Sequence, residues 1–479
     1  MSIAVLKFGG TSVSDAQAMR QVTHIVREAV SSYDHVVVVT SAMGKSPDPQ
    51  DTVKVTDLLL NAARSAAGGD ADTYQRTRRL LADKHHAAID ALVTNLDDRR
   101  DISNEVDDLL DGFEALCASV RVLGEVTPRA LDTIAGLGER MAARVLAGAL
   151  RSAGISAEAV DATELIVTND RYQSASPLMD LTRERTRARL LPMLERGLVP
   201  VVTGFIGATQ SGVPTTLGRG GSDYSASIIA AVLDADIVFN YTDVDGVLTT
   251  DPRIVPEART IATLTAQEIS EMAYFGASVL HPMTITPLIE KNIPLRVKNT
   301  FNPTHPGTLI VYQADASKAD GAIKAITAIK NVSLITVAGS GMKGVPGIAA
   351  RTFSTVARTG TSVLMISQAS SEQSICFVVP RAAAANIVAA LKETFQDEIA
   401  HREIDGVEAF DRASIITVVG AGISETPGVS GRVFGTLGEH HINVYAIAQG
   451  SSECAISFIV AEDRCDDAVR ALHFLTQPC

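Results

Sequence analysis

Residues Thr336 to Val379 align without a gap on Thr417 to Val460 at a constant shift of 81, and 18 of the 44 paired positions are identical. A repeat of this length requires two copies of one supersecondary unit that bury their apolar faces together. Pro346-Gly347 returns as Pro427-Gly428, Arg351 as Arg432, and Ser370-Ser371-Glu372 as Ser451-Ser452-Glu453. Each copy reads strand, turn, helix, strand, strand, helix, which is the ferredoxin-like plan without its closing strand. The alternating segment Ala322-Ile-Lys-Ala-Ile-Thr-Ala-Ile329 precedes the first copy and is expected to supply the strand missing from the second. The expected division is therefore a strand at 322–330 given to the second module, a first module at 331–411 inserted within it, and a second module at 412–479.

The region before the repeat has a different pattern. Ile3 to Phe8, His35 to Thr40, Val199 to Phe205, Ile237 to Tyr241 and Leu295 to Lys298 are short apolar runs of the kind that form buried parallel strands. They alternate with helical stretches, and Ala71 to Leu150 reads as mostly amphipathic helix. The expectation is an α/β catalytic domain over 1–312 with a mainly parallel central sheet, joined by a polar, small-residue linker at 313–321.

Composition narrows the partners. The chain has 55 acidic and 42 basic residues, a formal charge of −13, so nucleic acid and anionic membrane surfaces are disfavoured. No apolar run reaches the roughly 20 residues of a membrane span, and Met1-Ser-Ile-Ala-Val-Leu-Lys7 lacks the order of a signal peptide, so a cytoplasmic location is expected. Five cysteines without Cys-x-x-Cys spacing read as reduced, mostly buried thiols. The pairs His85-His86 and His440-His441 lack metal spacing and read as surface helix and loop residues; no protein metal site is expected.

Three turns can carry chemistry. Lys7-Phe-Gly-Gly-Thr-Ser12 follows the first strand and precedes a helix expected near Asp15. Gly9 and Gly10 let backbone N–H groups approach an anion, and Lys7 adds a cation where phosphoryl oxygens gain charge. Such a glycine pair also serves turn geometry alone. Thr216-Leu-Gly-Arg-Gly-Gly-Ser-Asp223 is a second glycine-rich turn before a helix. There Arg219 suits a carboxylate and Asp223 can hold Lys7, although Ser222 or Asp223 as a plain helix cap is the simpler reading. Tyr241-Thr-Asp-Val-Asp-Gly246 and the stretch to Arg253 follow another strand, where open α/β sheets bind ligands, yet a solvated acidic loop has the same composition.

Taken in order, Lys-Phe-Gly-Gly-Thr-Ser-Val from Lys7, Thr56-Asp-Leu-Leu, Gly138-Glu139, Thr203-Gly-Phe-Ile-Gly207, the Thr216 to Asp223 turn, Thr242-Asp-Val-Asp-Gly and Phe275-Gly-Ala-Ser-Val-Leu-His-Pro282 resemble aspartokinase across essentially the whole chain. The repeat resembles the paired ACT domains of that family. The resemblance implies an amino-acid-kinase-type α/β sandwich and two ferredoxin-like α+β modules. It implies ATP- and Mg²⁺-dependent phosphorylation of the β-carboxylate of L-aspartate, the first step toward lysine, threonine and methionine. By resemblance, Lys7 and Asp223 are catalytic, and Lys7, Gly9, Gly10, Thr242, Asp243 and Arg253 bind the nucleotide. Ser41, Thr56, Glu139, Thr216, Arg219 and Ser222 form the aspartate shell, Arg219 on its α-carboxylate and Glu139 on its ammonium.

The chain departs from the family at Leu248, where Tyr is frequent, and at Ser278, where Lys is common; Arg253 or Lys298 is expected to compensate. An acyl phosphate formed on an already ionised carboxylate needs no general base, which agrees with the lack of a candidate catalytic histidine. Gly339-Ser-Gly-Met-Lys-Gly344 fits the Gly-x-Gly-x-x-Gly dinucleotide pattern, but no acidic residue stands about 20 positions on, and Gly420 to Glu425 lacks the third glycine. An amino-acid effector is expected at Met342, Gly347, Gln368, Ser370, Ser371, Glu372, Gln449, Ser451 and Ser452. Leu364 replaces an acidic group of lysine-sensing relatives, so threonine is favoured. A homodimer through the ACT modules, or a tetramer, is expected, and the end of the chain three residues after Thr476 leads us to expect no homoserine dehydrogenase fusion. The rival readings are a kinase of the same fold acting on glutamate or a nucleoside monophosphate, and a non-catalytic amino-acid sensor.

Overall fold

The computed structural model describes residues 2–46, 54–274, 280, 282–312, 322–368, 373–423, 426–449 and 454–476. They form two compact units, one of Met1–Val247, Ala262–Ala266 and Leu280–Tyr312, the other of Leu248–Ile261, Gln267–Val279 and Gln313–Cys479. The boundary expected at residue 312 is thus interrupted: two segments from within 1–312 group with the C-terminal modules. The expected linker 313–321 lies outside the described residues.

In the first unit, strands β1 (Ile3–Phe8), β2 (His35–Thr40), β3 (Ala157–Val160), β4 (Val167–Thr168), β5 (Val199–Thr203), β6 (Ile206–Thr209), β7 (Pro214–Thr216), β8 (Ile237–Thr242), β9 (Thr263–Thr265), β10 (Leu295–Asn299) and β11 (Thr308–Val311) make two sheets. The larger runs β3-β5-β2-β1-β8-β10-β11-β9, and every pairing is parallel except β10 with β11. All six residues of β1 are buried, as a central strand covered on both faces requires. The smaller sheet runs β4-β6-β7. The strand expected to reach Phe205 stops at Thr203, because Phe205 turns with φ +67°.

Helices α1 (Ala16–Ser32), α2 (Val55–Ala67), α3 (Ala71–Leu92), α4 (Leu96–Leu123), α5 (Pro128–Ala135), α6 (Leu137–Ser152), α7 (Met179–Glu195) and α8 (Gly221–Leu233) follow in order. Asp15 caps α1 by accepting from the Ala18 N–H, at the position the sequence marks. The helical block α2 to α6 shares one apolar core with β1 and β2. His85, expected on the surface, is instead fully buried in α3. Its Nδ1 pairs with the Leu81 carbonyl, and desolvation lowers its pKa to about 4. No described helix is long and apolar enough to cross a membrane.

Helices α9 (Ala266–Tyr274) and α10 (Pro282–Lys291) complete the N-terminal part of the chain. The second unit then adds β12 (Ala325–Ala338), α11 (Ile348–Arg358), β13 (Met365–Gln368), β14 (Ser374–Pro380), α12 (Arg381–Thr394), α13 (Gln396–Ala400), β15 (Gly406–Val419), α14 (Val429–Glu439), β16 (Ala446–Ala448), β17 (Ala455–Ala461) and α15 (Cys465–His473). The antiparallel sheet order is β13-β14-β12-β15-β17-β16. Ala325–Ile329 pair with Ile415–Val419 of the second copy, and Val332–Ala338 pair with Ser374–Pro380 of the first. The closing strand of one module and the opening strand of the other are thus a single strand, with a register shift where Asn331 takes φ +60°. Alternation sorts its neighbours: Ile416 and Val418 join a core with Val433, Leu437 and Leu472 from the helices, whereas Ala413 and Ile415 join a separate cluster with Met365 and Ile459.

Candidate active site

Loops at the carboxyl ends of β1, β2, β5 and β8 meet the start of α8, where an open parallel sheet leaves a crevice. Lys7, 8% exposed, stands beside Val39 of β2 and Asn240 of β8, and its ammonium is 2.5 Å from Asp223 Oδ1 in the first turn of α8. The Gly9 N–H donates to Tyr241 O at 3.1 Å, which fixes the glycine turn onto β8, and the Phe8 and Tyr241 rings stack at 4.9 Å. The Gly44 N–H donates to Gly10 O at 2.8 Å; a Cβ on Gly44 would lie 2.5 Å from the Gly10 carbonyl carbon, so only glycine permits this approach. Behind Lys7 lies a void of about 10 Å³, large enough for one water, lined by Asp223, Ser227, Asn240, Leu280 and Thr284. Asn240 is buried, and its Oδ1 has no partner among the described residues.

The expected aspartate shell continues from the same edge. The Ser41 N–H donates to Phe8 O at 3.1 Å, and the next N–H, of Ala42, donates to Glu139 Oε1 at 3.2 Å. Glu139, in the first turn of α6, is buried; its Oε2 has no partner among the described residues, and desolvation pushes its pKa up to about 7. Thr56 is partly buried in the first turn of α2. Ser222 is partly buried, and Arg219 is exposed without a side-chain partner among the described residues. Thr216, expected in the aspartate shell, donates its hydroxyl to Asp132 Oδ1 at 2.8 Å.

The nucleotide set divides. Thr242 donates its hydroxyl to Asp243 Oδ1 at 3.1 Å, and Asp243 is exposed in the loop after β8. That loop is braced by Asp245, whose Oδ1 accepts from the side-chain amides of Asn299 at 2.9 Å and Asn302 at 3.1 Å. Lys298 lies opposite Tyr241 in register, and burial followed by the nearby Arg296 charge lowers its pKa. Arg253 does not share this unit: it falls in the second one, where its guanidinium is held by Asp251 at 2.7 Å. Leu248 is also in the second unit, bridged to Thr260. Ser278 lies outside the described residues.

In the second unit a cleft of about 320 Å³ is lined by Met342, Val345, Pro346, Gly347, Gln368 and Ile375, among others. Gln449 is exposed just beyond β16. The expected effector residues Ser370, Ser371, Glu372, Ser451 and Ser452 lie outside the described residues.

Asp132 and Asn240 were not marked by any motif, and Asp245 lies within Thr242-Asp-Val-Asp-Gly246 but was given no role. Asp132 carries one local signal, a lone carboxylate among Leu131, Ile134 and Ala135 on the buried face of α5.

A lysine held by an aspartate over a double-glycine turn, on a parallel sheet followed by paired ferredoxin-like modules, defines an amino-acid-kinase-type domain with an appended double module. Sequence comparison agrees: the amino acid kinase family matches residues 2–299, and the ACT domain matches residues 335–395 and 416–474. Aspartokinase 2, chloroplastic, of Arabidopsis thaliana is 32% identical over 99% of this chain and 85% of its own length. Bifunctional aspartokinase/homoserine dehydrogenase 1, chloroplastic, of the same plant is 36% identical over 98% of the chain. The chain spans about half the length of such bifunctional relatives, 51% in that case. Escherichia coli aspartokinase III, solved with aspartate and ADP in an R-state, superposes with a TM-score of 0.79 at 29% identity, covering 99% of both chains. Its T-state structure with lysine and aspartate gives 0.76 at 30% identity, covering 98% of this chain and 99% of that one. The chain belongs to the aspartokinase family.

Proposed function

We propose that the chain transfers the γ-phosphoryl group of ATP to the β-carboxylate of L-aspartate, giving 4-phospho-L-aspartate and ADP, the entry step to lysine, threonine and methionine. The observation that carries this reading is the Lys7–Asp223 pair, buried beside Gly9 and Gly10 at the carboxyl edge of β1. Lys7 neutralises charge on the phosphoryl oxygens in transit, and Asp223 keeps the ammonium in place before the reaction begins. Gly9 and Gly10 admit the phosphate to the backbone. The attacking carboxylate is already ionised at neutral pH, so the site needs positioning and charge, not a base.

Glu139 takes the ammonium of aspartate on the oxygen that has no partner among the described residues, Arg219 the α-carboxylate, and Ser41, Thr56 and Ser222 complete the shell, with Thr216 supporting it through Asp132 rather than touching substrate. Thr242 and Asp243 hold the nucleotide, with Lys298 as the neighbouring cation. Mg²⁺ prefers oxygen ligands and keeps several waters, so it would be carried mainly by the phosphates of ATP. When bound, that ion lowers the charge the carboxylate must approach.

The cleft at Met342, Gly347 and Gln368 has the volume of an amino-acid site, and we assign it the feedback effector. Leu364, standing where lysine-sensing relatives carry an acidic group, favours threonine. The edge strands β13 and β16 expose Ile366 and Ile447, which supports a homodimer through this unit. Hydroxamate trapping of the acyl phosphate tests the function: aspartate should give product and glutamate little. Product from glutamate or a nucleoside monophosphate but not aspartate refutes the assignment.

A further inference from the structure

We propose that Asp132 is the positioning residue that sets the geometry of Arg219, holding the turn that carries it through the backbone of Thr216 and Gln173; this rests on the aspartate-binding reading of the site. Asp132 is 2% exposed on the inner face of α5. Its Oδ2 accepts from the Gln173 N–H at 2.8 Å and the Thr216 N–H at 3.0 Å, and its Oδ1 accepts from the Thr216 hydroxyl at 2.8 Å. The Ala175 N–H donates to Thr216 O at 2.9 Å, so all three polar groups of Thr216 are engaged. One carboxylate thereby joins three segments distant in sequence: α5, the 169–176 loop and the end of β7.

Arg219 gains its position from this anchor because it has little of its own. It is exposed and makes no side-chain hydrogen bond or ion pair among the described residues, and it stands between Gly218 at φ +77° and Gly220 at φ +67°. Two left-handed glycines turn the chain sharply while offering no side chain to hold it. The fixed points are the helix start at Gly221 on one side and, on the other, Thr216 together with the buried Leu217, whose N–H donates to Phe205 O at 2.9 Å. Gly218 itself is close to the loop that Asp132 holds, since a Cβ there would lie 3.2 Å from Gln173 O. Loss of the Asp132 carboxylate therefore frees the turn on the side leading into Arg219, and a misplacement of about 1 Å in a substrate-holding group costs on the order of 10² in rate.

The test uses the full chain and ADP release. Asparagine at 132 keeps the shape but turns one acceptor into a donor facing N–H or hydroxyl hydrogens. We expect Asp132→Asn to raise the KM for aspartate at least ~10-fold, leaving the KM for ATP within about twofold. In an Arg219→Ala background the same change should alter the aspartate KM less than about twofold, because the group it positions is gone. Equal rises in both KM values, or effects that multiply in the double variant, mean a general structural role and overturn the proposal. If circular dichroism shows that Asp132→Asn does not fold, Thr216→Val removes one of the three bonds and spares the carboxylate; an unchanged aspartate KM there overturns it as well. An unchanged aspartate KM in Arg219→Ala alone defeats the underlying reading, whereas a raised one beside a normal Asp132→Asn defeats only the proposal.

Discussion

Glu139 gives the site a pH dependence whose sign and size follow from its surroundings. It is 3% exposed, accepts from the Ala42 N–H at 3.2 Å, and has a second oxygen without a partner among the described residues. Desolvation raises its pKa from 4.5 to about 7. For the free protein, a carboxyl raised in the folded state stabilises the fold fully below pH 4.5, and this contribution is lost as pH rises through about 7. For binding the sign reverses, because only the ionised form attracts the ammonium of aspartate. With a pKa of about 7, the ionised fraction is about one in eleven at pH 6 and about ten in eleven at pH 8. Aspartate keeps one net charge state across that range, so its KM should fall about tenfold from pH 6 to pH 8 at saturating ATP. Glu139→Gln should raise the KM and flatten its pH profile. The assay is ADP release on both proteins in one buffer series. A flat wild-type profile, or the same slope in Glu139→Gln, refutes the assignment of Glu139 to the ammonium.

Lys7→Met should lower kcat by roughly 10³ with circular dichroism unchanged, since one preorganised charge leaves the transition state; near-normal turnover removes Lys7 from the chemistry. Gly44→Ala forces the loop after β2 away from Gly10, against a Cβ contact of 2.5 Å. It should cost about 1–3 kcal/mol in urea unfolding, and a wild-type midpoint refutes the close approach. Threonine at millimolar concentration should raise the melting temperature of the full chain while lysine does not, as a ligand of the native state must; equal shifts refute the choice of effector.

The geometry of the Lys7 turn was legible because it depends on local punctuation. A strand, two glycines and a capping aspartate occupy 13 consecutive residues from Ile3 to Asp15, and the structure brings them together much as they are written. Glu139 and Ser41 are joined only by the Ala42 N–H, yet short motifs mark both. Asp132 was not legible, because its partners Gln173 and Thr216 are 41 and 84 residues away. A buried acid looks like a surface acid until its donors are known. The partner of Thr216 was hidden for the same reason: the sequence shows the hydroxyl but not the carboxylate it donates to.

The C-terminal unit divides along a similar line. Its repeat and the alternation over 322–329 fix the shared strand, since both patterns are local. The membership of Leu248–Ile261 and Gln267–Val279 is set by distant polar groups instead. Thr249 O accepts from the Ile326 N–H at 2.8 Å, its hydroxyl pairs with His473 Nε2 at 2.9 Å, and Arg259 donates to Thr476 O at 3.2 Å. Val255 enters the core of the second module. Glu268 and Lys324, both essentially unexposed, pair at 3.2 Å, and the other Glu268 oxygen accepts from the Ala421 N–H at 2.7 Å. Breaking a buried pair of this kind costs about 3–5 kcal/mol. Such pairing fixes which segments belong together through the penalty for separating them. That penalty is a property of two residues 56 positions apart, and neither residue carries it alone in the sequence.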